Sequence, residues 1–215
     1  MDRYSSFEQL KTFEREGIDF RVRWRMGCSG IAILSIHGGD IEPGTSMIAD
    51  AIAGNDHSYY ALEGLKSSGN KALHITSTHF DEPTAIEIVC RSETVITVHG
   101  CSGTDEVVYV GGRDQNMKRR ICRKLREAGF VAEKASKPRF VGMDLANICN
   151  LTERRMGVQL EISRGLRCRM ISDSQAETPE KASELLDRLA RAVREAIEPF
   201  RKPPEEWPTS EGYEK

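Results

Sequence analysis

The chain has 215 residues, which suits one α/β domain with a substantial core and leaves little room for two. Its net charge is −2 and 39% of its residues are hydrophobic, so it lacks the basic excess that is typical of nucleic-acid-binding proteins. The six cysteines are scattered without a C-x-x-C pair, which argues against a disulfide framework and against a structural zinc knuckle.

The N-terminal stretch lacks the apolar core of a signal peptide, and no run approaches about 18 consecutive apolar residues. We therefore expect a cytoplasmic protein that has no membrane partner and is not exported by a standard signal, although cell lysis could release it. The one basic cluster, at 118–127, lies on a predicted helix and is typical of a solvated face. The oligomeric state stays open, and the composition is compatible with a monomer.

Short apolar runs alternate with amphipathic segments along the chain. A helix is predicted at 5–16, behind a serine cap, and the following stretch at 20–26 alternates apolar residues with three arginines. This strict period of two predicts a strand with one wet face, and hence an outer strand. Further strands are predicted at seven apolar runs: 31–36, 59–65, 73–78, 94–99, 107–110, 130–135 and 157–163.

Further helices are predicted between these strands. They lie at 43–54, 83–92, 115–129 and 178–200. Thr178 is placed to cap the last of them. No repeat and no internal linker divides 1–200, so we expect one domain there, followed by a loosely ordered tail at 201–215. The order of elements predicts an α/β fold with a mixed, mostly parallel central sheet flanked by helices.

Polar residues fall where several predicted strands end, which is where open α/β sheets bind ligands. His37 and His99 each follow an apolar run and precede glycine, and His79 follows another run. Glu42 lies five residues beyond His37, across a Gly-Gly turn. Two histidines and a glutamate, with a fourth position left for water, are a usual set for catalytic zinc. The spacing is compatible with such a metal site and equally with hydrogen-bonded structural histidines.

Several motifs in order resemble those of one hydrolase family. They are SIHGGDIEPGTSMIADAIAG at 35–54, GLKSSGN at 64–70, LHITSTHFDEP at 73–83, VHGC at 98–101, VYVGGRD at 108–114, NICN at 147–150 and GVQLEISRGLR at 157–167. Together they resemble the bacteriophage and bacillar poly-γ-glutamate hydrolase family over about residues 4–170. The resemblance implies a zinc carboxypeptidase-like fold and an amidohydrolase that cuts γ-glutamyl linkages.

The resemblance also implies roles for particular residues. Carried over by position, His37, Glu42 and His99 would hold one zinc ion per chain, although the same ligands would accept cobalt or nickel. Glu161 would be the general base that takes a proton from the attacking water and passes it to the leaving amine. The residues alone allow a different interpretation, in which Glu161 ends its strand in a structural salt bridge.

An anionic γ-glutamyl polymer requires fixed positive charge in its pocket, because each of its residues carries a free α-carboxylate. Arginine binds carboxylates through two parallel hydrogen bonds. Arg113 and Arg167 are the best-placed candidates, and one of them could instead stabilise the oxyanion that forms at the scissile carbonyl. Arg164 is a further candidate, and either Arg164 or Arg167 could be the salt-bridge partner of Glu161. His79 could contact substrate, orient another side chain or be structural.

The sequence offers little support for other chemistry. The Gly-Gly pairs at 38–39 and 111–112 match neither phosphate-loop nor dinucleotide motifs, and no G-x-S-x-G elbow is present. The predicted function is therefore a zinc-dependent amidohydrolase acting on poly-γ-glutamate or a related γ-glutamyl substrate. Two alternatives stay open: a zinc amidase acting on another acyl-amino acid or on cell-wall peptide, and a non-catalytic, phage-associated metal-binding protein.

Overall fold

One seven-stranded sheet organises the residues that the computed structural model describes, 2–171 and 178–202. The strands are β1 (Phe20–Arg25), β2 (Ile31–Gly39), β3 (Ser58–Gly64), β4 (Thr94–Cys101), β5 (Val107–Gly112), β6 (Val131–Lys134) and β7 (Val158–Ser163). Their order across the sheet is β1-β3-β2-β4-β7-β5-β6. The three central strands are therefore β2, β4 and β7, which are not consecutive along the chain.

Most neighbouring strands run parallel. Parallel pairing joins β2 to β3, β2 to β4, β4 to β7 and β5 to β6. Antiparallel pairing joins β1 to β3 and β5 to β7. β1, with its alternating arginines, lies at an edge, as expected for a strand with one wet face. The mixed, mostly parallel sheet predicted from the sequence is confirmed.

Helices cover both faces of this sheet. They are α1 (Phe7–Phe13), α2 (Thr45–Ala53), α3 (Pro83–Cys90), α4 (Gln115–Glu127), α5 (Pro138–Val141), α6 (Arg164–Met170) and α7 (Pro179–Ile197). Thr178 caps α7 as predicted, because its side chain accepts a hydrogen bond from the backbone N–H of Lys181. The short helices α5 and α6 were not expected from the sequence.

Two apolar layers fill the space between the helices and the sheet. Ile33 of β2 points into the layer that contains residues of α2, α4 and α7, while its neighbour Leu34 points into the layer that contains residues of α1 and α3. Burial on both faces explains why this strand is a continuous apolar run rather than an alternating one. Burial of each such side chain contributes roughly 1.5–3 kcal/mol to the free energy of folding.

The prediction of a strand at 73–78 is wrong. A short 3₁₀ turn, Asn70–Leu73, is followed there by a segment that belongs to no strand or helix. The N–H of Thr76 donates to the side chain of Asp2 at 2.6 Å, and the N–H of His79 donates to the carbonyl of Thr76 at 2.7 Å. Because these donors are satisfied by a side chain and by a local turn, they do not form a ladder with a neighbouring strand.

The C-terminal end of the described residues lies against the start of β2. The N–H of Lys202 donates to the carbonyl of Ser29 at 2.9 Å, and its ammonium group pairs with Glu93 at 2.8 Å. The tail predicted to be loosely ordered, 201–215, lies outside the described residues from position 203 onward. No helix in the described part of the chain has both the length and the apolar character that a membrane span requires.

Candidate functional site

Two histidines and a glutamate meet at the carboxyl ends of β2 and β4. The Nδ1 atoms of His37 and His99 are 3.2 Å apart. Glu42, in the loop after β2, places its Oε2 atom 3.4 Å from Nδ1 of His37 and 4.0 Å from Nδ1 of His99. One potential ligand atom from each residue lies within 4.8 Å of the others, and both histidines are buried. The structure thus brings the three predicted ligands together.

A β-bulge directs His37 into this cluster. β2 runs on to Gly39, three residues beyond the predicted strand, and its register against β3 shifts between Ser35 and Gly38. Strict alternation would send His37 to the same face as Ile33. Instead, its Nε2 atom lies 2.9 Å from the carbonyl oxygen of Ile75, a residue of the opposite apolar layer. Bulges commonly re-aim side chains in this way next to functional sites.

A tight glycine turn then returns the chain so that Glu42 faces the histidines. Gly39 has a φ of +58°, and a Cβ atom added to it would lie 2.5 Å from the carbonyl oxygen of Gly64. Only glycine fits there without strain. Beyond the turn, the N–H of Glu42 donates to the carbonyl of His37 at 3.0 Å. The Gly-Gly pair therefore positions Glu42 beside the two histidines.

The donor atoms of the cluster fit a divalent cation. The carbonyl oxygen of Ile75 can only accept, so Nε2 of His37 carries the proton and Nδ1 presents a lone pair to the cluster. Nε2 of His99 is buried without a hydrogen-bond partner among the described residues, so this ring makes its polar contacts through Nδ1. Two imidazole nitrogens and a carboxylate oxygen converge, which is a zinc-binding set when a fourth position is left open.

The pKa values of His99 and Glu42 favour the neutral imidazole and the carboxylate that could bind a cation. Burial, and then the neighbouring His37, lower the pKa of His99 to about 3, so its ring is neutral. Burial opposes ionisation of Glu42, but His37 and a hydrogen bond from the N–H of Gly100 at 2.7 Å hold the carboxyl pKa at about 2. Burial also opposes protonation of His37, yet the charge of Glu42 raises its pKa overall. A cation bound at Nδ1 of His37 would compete with the proton for the same lone pair.

Glu161 lies beside the cluster on β7. It is in register with His99 of the adjacent strand β4, so the two side chains project from the same face of the sheet. Burial, and then the charge of Glu42, raise the pKa of Glu161 to about 8. The described residues contain no ion pair between Glu161 and either Arg164 or Arg167. A buried carboxyl with a pKa near neutrality is suited to accepting and releasing protons.

Two amide side chains fix the orientation of Glu161. Gln159 donates from Nε2 to Oε1 of Glu161 at 2.9 Å, and its own Oε1 accepts from Nδ2 of Asn147 at 2.9 Å. The Oδ1 atom of Asn147 in turn accepts from the backbone N–H of Cys149 at 3.1 Å. A backbone N–H can only donate, so the N–H of Cys149 fixes which end of the Asn147 amide is the oxygen. The orientation of the Gln159 amide follows from that of Asn147. Sequence reasoning missed these residues, which become partners only through the fold.

The cluster and Glu161 open into a cleft of about 650 Å³. Its other walls come from the segment 76–78, from the end of β4 and from residues 138–144 around α5. Among the described residues that line the cleft, Arg139 is the only lysine or arginine. Sequence reasoning missed Arg139, because it follows no predicted strand and its short helix has no clear pattern.

Three of the predicted substrate-binding residues do not line this cleft. Arg113 donates to the carbonyls of Arg155 and Met143, each at 3.1 Å, and so supports the cleft wall at Met143 without lining the cleft itself. Arg164 is exposed at the start of α6, and His79 is exposed in the turn that follows the segment 76–78. The structure therefore does not bring these three side chains to the cluster of His37, Glu42 and His99.

Arg167 lies behind the cluster rather than inside the cleft. Its buried guanidinium donates to the carbonyl of Ile162 at 3.0 Å, to that of Cys101 at 3.3 Å and to that of Pro43. A Cβ atom on Gly100 would lie 2.6 Å from its Cζ atom, so the strand that carries His99 passes directly over it. Arg167 thus ties together the elements that carry His99 and Glu42.

A mixed α/β sheet that gathers two histidines and two glutamates at its strand ends is typical of metal-dependent hydrolases. The chain belongs to the poly-γ-glutamate hydrolase family, whose profile matches residues 4–192. This confirms the family that the sequence motifs resemble.

Two curated relatives come from Bacillus subtilis (strain 168). The UPF0714 protein YndL is 40% identical over 167 residues, which cover 77% of this chain and 66% of YndL. The SPbeta prophage-derived UPF0714 protein YoqZ is 37% identical over 172 residues, which cover 80% of this chain and 62% of YoqZ. The matched part therefore spans just under two thirds of the length of these relatives.

Two solved structures share the fold. The structure of a bacteriophage poly-γ-glutamate hydrolase has a TM-score of 0.85 and 30% identity, covering 93% of this chain and 98% of that one. A zinc-free apo structure of YndL has a TM-score of 0.82 and 34% identity, covering 92% of this chain and 98% of that one. These likenesses confirm the predicted fold class.

Proposed function

We propose that this protein is a zinc-dependent amidohydrolase that cleaves the γ-glutamyl amide bonds of poly-γ-glutamate. One observation carries the proposal: His37, Glu42 and His99 converge beside the buried Glu161, in a chain of the poly-γ-glutamate hydrolase family. The bacteriophage structure named as such a hydrolase and the zinc-free form of YndL support the substrate and the metal, respectively.

The zinc ion would be held by Nδ1 of His37, Nδ1 of His99 and the carboxylate of Glu42. When bound, zinc lowers the pKa of a coordinated water to about 7 and polarises a carbonyl oxygen. Hydrogen bonds within the chain already orient two of these side chains. The carbonyl of Ile75 fixes the tautomer of His37, and the N–H of Gly100 orients the carboxylate of Glu42.

Glu161 would move the proton during hydrolysis. Gln159 occupies its Oε1 atom, which leaves Oε2 to take a proton from the attacking water and to deliver it to the leaving amine nitrogen. Its raised pKa suits the second step, because a carboxyl that holds its proton near neutral pH can release it to an amine. A cation in the adjacent cluster would lower that pKa and favour the ionised base for the first step.

Arg139 would bind an α-carboxylate of the polymer. It lines the cleft, its guanidinium carbon lies 4.7 Å from the centre of the Phe140 ring, and the described residues give it no ion pair. Its charge is also felt by Glu161, whose pKa it lowers slightly against the larger effect of burial. A planar guanidinium near the reacting groups is suited to a substrate that carries one carboxylate per residue.

The proposed activity is tested on purified protein reconstituted with zinc. We expect it to shorten poly-γ-glutamate, as measured by size-exclusion chromatography, and a chelator should abolish the shortening. Poly-α-glutamate of matched length has the same charge and serves as the control substrate. Cleavage of an acyl-amino acid or a cell-wall peptide in place of the γ-polymer would contradict the proposed substrate, and zinc binding without any hydrolysis would contradict the enzyme itself.

The assignment of Arg139 is tested in the same assay. Arg139→Gln is expected to raise KM for poly-γ-glutamate about tenfold, since a charge-assisted hydrogen bond is worth roughly 1.5–3 kcal/mol and water compensates part of its loss. Arg164→Gln is the matched control, because Arg164 is exposed and does not line the cleft, so this variant should leave KM unchanged. If Arg139→Gln leaves KM unchanged, Arg139 does not bind the α-carboxylate of the polymer.

A further inference from the structure

The segment 74–76 forms a support for the first of the proposed zinc ligands. The carbonyl oxygen of Ile75, the middle residue, accepts from Nε2 of His37 at 2.9 Å. The ring of His74 stacks on the ring of His37, with centroids 4.0 Å apart and planes inclined by 24°. These two contacts fix both the tautomer and the tilt of the His37 imidazole. The position of Nδ1, which faces the metal cluster, therefore depends on where this segment lies.

The side chain of Asp2 holds this segment on both sides of Ile75. Its Oδ1 atom lies 2.8 Å from Nδ1 of His74. Its Oδ2 atom accepts from the backbone N–H and from the hydroxyl of Thr76, each at 2.6 Å. Burial opposes ionisation of Asp2, but the hydrogen bonds from Thr76 and His74 outweigh it and lower the pKa of the carboxyl. The side chain that holds the segment 74–76 is therefore a charged carboxylate at neutral pH.

Regular secondary structure does not hold the segment in place. Residues 74–76 belong to no helix or strand, even though Ile75 is fully buried. The N–H of Thr76, which a sheet ladder would otherwise satisfy, is bonded to Asp2. Local turns bond the N–H of His74 and the carbonyl of Thr76, and the distant carboxylate of Asp2 takes the place of the strand pairing that would otherwise bond the N–H of Thr76.

We infer that Asp2 is a positioning residue for the metal centre, which acts on His37 through the segment 74–76. This inference rests on the proposed zinc ligation by His37 and deepens it. Partners that orient a ligating histidine typically change metal affinity by about 10–100-fold when they are removed. Asp2 is one step further away than such a partner, so we place the effect at the lower end of that range. Asp2 bonds to none of the proposed ligands and does not itself line the cleft, although His74 and Thr76, which it holds, do. Its contribution is therefore measured as zinc affinity, in the absence of substrate.

The test is the zinc dissociation constant of the full chain, measured by competition with a chromophoric chelator. Asp2→Ala is expected to weaken zinc binding about tenfold. Asp2→Asn retains one acceptor for Thr76 and should give a smaller loss, and it provides the measurement if Asp2→Ala does not fold. Asp81→Ala is the matched control, because Asp81 fixes the N-terminal segment through the N–H of Phe7 at 2.6 Å and shows no bond to residues 74–76.

Zinc affinity in Asp2→Ala within about twofold of the wild type would overturn the inference, as would an equal loss in Asp81→Ala, which would indicate general loosening. The melting temperature of the metal-free variants separates such loosening from an effect on the ligand. The readout does not involve substrate, so zinc binding without polymer cleavage would refute the proposed function and leave the role of Asp2 intact. A wild type that binds no zinc would refute both.

Discussion

Glu161→Gln is expected to lower the turnover of poly-γ-glutamate by at least about a hundredfold while zinc stays bound. Glutamine has nearly the same shape as glutamate and can keep the hydrogen bond from Gln159, so the cleft should be unchanged. An amide cannot accept the proton of the attacking water or return it to the leaving nitrogen. The loss should therefore appear in kcat, with KM and zinc content close to those of the wild type.

A second buried strand glutamate provides the control for this variant. Glu63 of β3 is also buried, but it pairs with Arg21 at 2.6 Å and does not line the cleft. Glu63→Gln should therefore retain turnover even if it costs some stability. Near-normal turnover in Glu161→Gln would contradict the proton-transfer role and make Glu161 a structural residue.

His37→Ala is expected to reduce turnover to background even with zinc in excess. It removes one of the three proposed protein ligands, and the remaining pair, Glu42 and His99, would hold the ion too weakly and in the wrong geometry. Turnover is measured by size-exclusion chromatography of the polymer over a range of zinc concentrations. His79→Ala is the control, because His79 is exposed and lies outside the cleft, and this variant should behave as the wild type.

The pattern of apolar and polar residues along each segment predicted how the strands are buried. The apolar run that begins at Ile31 indicated a strand covered on both faces, and β2 lies near the middle of the sheet with both faces buried. The alternating arginines of 20–26 indicated an edge strand, and β1 is one. His37 and His99 were expected to meet because neighbouring parallel strands end at the same edge of a sheet.

Contacts between distant parts of the chain could not be predicted in this way. Arg167 follows a strand end, which suggested a substrate contact, yet it donates to the carbonyl of Pro43, 124 residues away. The bulge that redirects His37 is defined by pairing with β3, more than twenty residues further along the chain. The alternation at 73–78 resembles that of a strand, but the side chain of Asp2 takes the hydrogen bond that would have joined it to a sheet.

The zinc content of the wild-type protein tests the central claim most directly. Purified protein is stripped with a chelator, dialysed to equilibrium against zinc and analysed for metal by mass spectrometry. The geometry of His37, Glu42 and His99 predicts about one tightly bound zinc ion per chain. A wild type that binds no zinc after reconstitution would contradict this account, and the three residues would then be a hydrogen-bonded structural cluster.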